Sequence, residues 1–125
     1  MNRNSVIEYA RINYGTEPEY PWEKYPEYAV LRNAASGKWY AVIMRVKRSF
    51  LGLDGEGTVD VINVKCDPVT VGSLRLKSGF LPAYHMNKDR WVSILLDGTV
   101  GEDEIFPLID ESFLLVNPKA KRKKN

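Results

Sequence analysis

With 125 residues, 44% of them hydrophobic and 27% charged, the chain has the size and composition of a single soluble globular domain. No apolar run approaches the roughly 20 residues that cross a bilayer, so no membrane-embedded role is expected. Five of the 18 basic residues fall in the last seven positions, so the other 13 face 16 acidic ones, and a net charge of +2 hides a body at −3. That distribution predicts one domain over residues 1–118 and a disordered basic tail over residues 119–125. An acidic body exerts no long-range pull on phosphate, which leaves any affinity for nucleic acid to local clusters or to the tail. Cys66 is the lone cysteine, so an internal disulfide is excluded. Together with an N-terminus lacking the apolar stretch of a secretory signal, this predicts a cytoplasmic location.

Residues 4 to 14 place Ile7, Ala10, Arg11 and Tyr14 at helical spacing, with Ser5 and Glu8 at capping-box separation and Gly15 as the stop. From Thr16 to Pro26, three prolines and the aromatics Tyr20, Trp22 and Tyr25 predict an irregular segment lying over the core. Tyr28–Asn33 and Lys38–Lys47 read as a β-hairpin turned by Ala34-Ala35-Ser36-Gly37. A glycine-rich reversal at residues 52–57 leads into a third strand, Thr58–Lys65, which completes an antiparallel meander. Asp67 and Pro68 are a cap and first residue for a second helix running to about Lys77. After an aperiodic segment at Pro82–Lys88, Trp91–Leu95 reads as a strand. A last helix is expected from near Thr99, with Ile105, Leu108, Ile109, Ser112 and Val116 on its inner face. The expected fold class is α+β: an antiparallel sheet of about five strands with helices packed on it, in the order α-β-β-β-α-β-β-α.

The chemistry-bearing residues form two groups. Arg45, Lys47, Arg48 and, on the neighbouring strand, Lys65 are a basic group suited to a phosphate backbone, or else an ordinary charged strand end that discourages edge pairing. Tyr84, His85, Lys88 and Arg90 gather in the segment holding the single histidine. Tyr84 suits base stacking there, and Lys88 and Arg90 suit phosphate contact. A bland alternative has His85 and Asn87 hydrogen-bonding backbone carbonyls to fix the loop. Cys66 and His85 make a poor nucleophile–base pair, because Asp67 opposes a thiolate at the same helix end. One histidine and one cysteine cannot close a structural zinc site. Val59 and Lys65 stand where an EF-hand needs glycine and glutamate. No cofactor, metal or catalytic residue is expected.

Tyr20-Pro21-Trp22, Lys38-Trp39-Tyr40-Ala41, Asn63-Val64-Lys65-Cys66-Asp67-Pro68, Pro82-Ala83-Tyr84-His85-Met86-Asn87-Lys88, Trp91, Leu96-Asp97-Gly98 and Leu108-Ile109-Asp110 follow one another along most of the chain. Together they resemble the MmcQ/YjbR-like family of small bacterial proteins. The resemblance implies a CyaY-like or secretion-chaperone-like α+β fold and a DNA-binding role through a double-wing arrangement. The leading expectation is therefore a monomeric, non-enzymatic DNA-binding protein that makes mainly phosphate contacts through a basic wing, the Tyr84–Arg90 segment and the tail. The second is a protein-interaction or chaperone-like module using the aromatic loop or a sheet face. A third is a small anionic ligand held around His85, Asn87 and Lys88.

Overall fold

The computed structural model describes residues 1–118; the expected tail, residues 119–125, lies outside the described residues. The elements run α1 (Arg3–Tyr14), β1 (Ala29–Arg32), β2 (Trp39–Lys47), β3 (Thr58–Lys65), α2 (Pro68–Leu74), β4 (Phe80–Pro82), β5 (Trp91–Leu95) and α3 (Glu102–Leu115). The strands make one antiparallel sheet in the order β1-β2-β3-β5-β4. This is the α+β class and element order read from the sequence.

The helix boundaries differ at three points. α1 starts early because Asn2, not Ser5, is its cap: the Asn2 side chain accepts from the Ser5 amide at 2.9 Å. Gly15 ends this helix as expected, in the left-handed conformation at φ 64°. α2 stops at Leu74 rather than near Lys77. α3 starts after Gly101, because Asp97 captures the Thr99 amide at 3.0 Å in a turn of its own. Val100 and Ile105 then occupy the positions of a hydrophobic staple, both buried in the core.

All three helices cover one face of the sheet, where Val6, Ile43, Ile62, Val71, Ile94, Ile105 and Ile109 join one core. The pairing register shifts between Leu31 and Arg32, opposite Ala41 and Trp39, so Tyr40 has no partner on β1. This bulge lets Tyr40 join Ala41 on the helix side. On the other side of β2, the pairing with β3 ends at Ala41 and Val64, one residue short of the Tyr40 carbonyl and the Lys65 amide. Ser112, fully buried on α3, bridges them: its hydroxyl donates to Tyr40 O at 2.6 Å and accepts from Lys65 N at 2.8 Å.

Among the described residues the opposite face carries no α-helix, only a short 3-10 turn at Arg48–Leu51, yet it is not bare. Val42, Met44, Val46, Val59, Val61 and Leu95 form a second core there. Trp22 and Tyr28 cover it from the proline-rich segment, Leu51 and Leu53 from the β2–β3 connection, and Tyr84 and Met86 from the segment after β4. Folding these loops over the sheet removes a large apolar surface from water.

Candidate functional site

A polar pair inside this second apolar face fixes the site. Asn63 of β3 and Ser93 of β5 are cross-strand neighbours and both are 0% exposed. The Ser93 hydroxyl donates to Asn63 Oδ1 at 2.5 Å and accepts from the Tyr84 amide at 2.9 Å. Asn63 Nδ2 donates to the Tyr84 carbonyl at 2.9 Å. Each partner satisfies the other, and between them they hold both backbone groups of Tyr84. The Pro82–Lys88 segment, which leaves the sheet after Pro82, is therefore clamped again at Tyr84. The expectation that the side chains of His85 and Asn87 bond backbone carbonyls to fix the loop is corrected: among the described residues the His85 side chain makes no hydrogen bond, and the Asn87 side chain only accepts, from the Asp89 amide at 2.8 Å, while the Asn87 carbonyl accepts from the Trp91 amide at 3.0 Å.

Pinning Tyr84 puts His85 outside. It is exposed, and among the described non-glycine residues it alone has a positive φ, 60°. Its ring lies 4.0 Å from that of Tyr84, tilted by 50°. The half-buried Tyr84 ring packs on the second core and is less free to stack on a base than its position in the segment suggests.

The basic group around Arg45 is divided. Lys47 pairs with Thr58 at one end of the β2–β3 ladder, whereas Lys65 pairs with Trp91 at the far end of β3, about 20 Å away along the strand. Arg48 turns back into its own loop, its Nε donating to the Asp54 carbonyl at 2.6 Å. Arg45 shares Asp60 with Arg3, at 3.2 and 3.0 Å. Burial alone would raise the Asp60 pKa, but the two guanidinium groups override it and hold the carboxyl below its usual range. Lys47 keeps its charge free of any ion pair among the described residues and lies 5.5 Å over the ring of Phe50, itself 61% exposed.

Three connected grooves link the remaining candidates. One, of about 330 Å³, runs along Arg45 and Lys47 to Tyr84 and His85. The next shares Phe50, Tyr84 and His85 with it and reaches Lys88. The third shares Lys88 and adds Arg90 and Arg75 beside α2. Lys88, Arg90 and Arg75 are exposed and, among the described residues, form no ion pair. The acidic residues of α1 and α3 lie on the helix-covered side. Lys47, His85, Lys88, Arg90 and Arg75 line these grooves together with Glu27 and Asp89, a mainly basic and aromatic track on a body that is acidic in total. Arg75 and Phe50 had no motif to mark them; only the fold brings them to the track.

Cys66 does not join this site. It is buried in the helix-side core, and burial, with Glu111 and Asp67 nearby, pushes its thiol up to about 12. His85 stands on the other face. No group of three or more His, Cys, Asp or Glu side chains suited to a metal ion occurs among the described residues.

The fold and site define a small α+β protein whose five-stranded sheet carries helices on one face and pinned aromatic loops on the other. The family model YjbR matches residues 13–115, and the chain belongs to that family. It is 47% identical over 115 residues to the uncharacterized protein YyaQ of Bacillus subtilis, covering 92% of this chain and 98% of that one. A crystal structure of a Pseudomonas syringae protein superposes with a TM-score of 0.91 at 49% identity, over 94% of this chain and all of the other. A Deinococcus radiodurans protein, at 24% identity and a TM-score of 0.72 over 98% of this chain and 83% of its own, shares the fold.

Proposed function

We propose that the protein is a non-enzymatic nucleic-acid-binding module that contacts DNA mainly through phosphates along the track from Lys47 past His85 to Lys88, Arg90 and Arg75. The observation that carries this reading is the continuity of the three grooves: Lys47, Lys88, Arg90 and Arg75, without an ion pair among the described residues, recur along them beside exposed aromatic rings and outnumber the two unpaired carboxylates that line them, Glu27 and Asp89. Side chains of this kind position a backbone without reading its sequence, so weak sequence preference follows. The acidic total limits long-range steering and makes the contact short-ranged and salt-sensitive. Fluorescence anisotropy with a labelled duplex at low salt tests it. Binding that survives removal of residues 119–125 supports a site on the folded body, and no binding at low salt ends the proposal.

A second reading, as a protein-interaction module, is favoured by one observation: Tyr20 and Tyr25 of the proline-rich loop are 52% and 50% exposed, and Tyr25 lines the first of the same grooves. A partner recovered with the intact protein, lost on Tyr25→Ala and unaffected by Lys47→Ala, would favour it over DNA binding.

A further inference from the structure

Beside the track, the second sheet face opens into an apolar cavity of about 210 Å³. Its floor is Val42 and Met44 of β2; Trp22, Tyr28 and Trp39 form walls, and Met86 closes one side. Trp22 stands nearly perpendicular to both neighbours, at 80° to Trp39 and 79° to Tyr28, with centroids 5.6 and 5.9 Å apart. The geometry points to a site for one flat heteroaromatic ring carrying an anionic group, namely an unpaired base of a single-stranded nucleic acid. This rests on the nucleic-acid reading above and extends it from the phosphates to the bases.

Size, lining and charge each narrow the occupant. An apolar cavity of about 150 Å³ accepts benzene, and pockets for drug-sized ligands begin near 300 Å³, so the space here suits a single ring system. The walls offer π-faces and perpendicular edges, which favour a planar aromatic guest, and the methionines can adapt to a purine or a pyrimidine. An organic cation would also meet aromatic faces, but the adjoining groove shares Tyr25, Tyr28 and His85 with the cavity and, beside Glu27 and the Asp60-bonded Arg45, carries the charge of Lys47, which is in no ion pair among the described residues. That positive charge repels a cation and suits the phosphate attached to a base. His85, held at φ 60° on the shared rim, marks where the chain is bent outward between the ring site and the phosphate groove.

Tryptophan fluorescence of the full-length protein tests this directly, because stacking quenches an indole and the three tryptophans differ in place. Trp22 and Trp39 line the cavity, while Trp91 pairs with Lys65 outside it. Titration with an oligothymidylate is expected to quench emission, and the quench should survive Trp91→Phe and vanish when Trp22 and Trp39 are replaced by Phe together. Trp39→Ala should weaken single-strand binding about fivefold or more. Tyr25→Ala, at a half-exposed ring whose loss spares the core, should weaken it as well. Thymidine monophosphate alone quenching as tightly as the oligonucleotide would assign the site to free nucleotides and overturn the strand. Salt-sensitive duplex binding without any quench by single strands would overturn the cavity's role and leave the track standing. Absence of binding to every nucleic acid would overturn both.

Discussion

Asn63 shows how a polar side chain in an apolar face organises the site around it. The period of β3 is plain in the sequence, and an asparagine among Val59, Val61 and Val64 can be placed on a face. Its partners cannot, since Ser93 and Tyr84 are 30 and 21 residues away in the chain and meet Asn63 only when β5 pairs with β3. Asn63→Ala leaves the Tyr84 carbonyl and the Ser93 hydroxyl without their partner, and a loss of about 2 kcal/mol or more in a urea unfolding series is expected. Native-state hydrogen exchange should show the added opening first at Tyr84, whereas a loss spread evenly over the sheet would contradict the clamp. Asp60 gives a pH signature of the opposite kind. Its folded pKa is depressed, so the stability it contributes is fully present above the unfolded value near 4 and is lost as pH falls through the lower folded value. Asp60→Asn should therefore cost about 2 kcal/mol at neutral pH and flatten the acid limb of the stability profile below about pH 4. A profile unchanged in that window would remove Asp60 from the account.

At the level of elements, strands were more legible than helix ends. β3 and β5 match the sequence reading in full, because two-residue alternation and flanking turn residues report strands locally. The starts of α1 and α3 were displaced because several residues near each end have capping chemistry, and the chain uses the one compatible with its packing. Asn2 leaves Val6 and Ile7 facing the core, and Gly101 lets Val100 point inward. β4 is three residues long and hardly announces itself, although it completes the sheet. The approach to it is tight: Gly79 sits at φ 90°, and a Cβ there would come within 2.4 Å of Val100 Cγ2. Gly79→Ala combines backbone strain with a clash, so a loss of about 2 kcal/mol or more is expected by thermal or chemical unfolding. A neutral result would show that β4 and the start of α3 do not fit together as described.

Over the whole molecule, which cations meet a carboxylate decides what the charges can do. Net charge alone gave little reason to expect phosphate binding, and the tail drew attention away from the body. Folding separates the charges: Arg3, Arg11, Arg32 and Lys77 pair with carboxylates, as does Arg45, while Lys47, Lys88, Arg90 and Arg75 have no ion pair among the described residues and lie along connected grooves. Part of this was readable, since Lys47, Tyr84, His85 and Lys88 stand out from their neighbours and meet on one surface. The placement of Lys65 was not, because proximity on adjacent strands depends on register, which strand composition does not report. The most direct test is the salt dependence of duplex affinity for the intact protein and for the Lys47→Ala/Lys88→Ala variant. Each lost phosphate contact should lower the slope of log K against log salt by about 0.9, so the double variant is predicted to bind more weakly with a slope shallower by nearly two. An unchanged slope and affinity, with the variant still folded, would contradict the track as the binding surface.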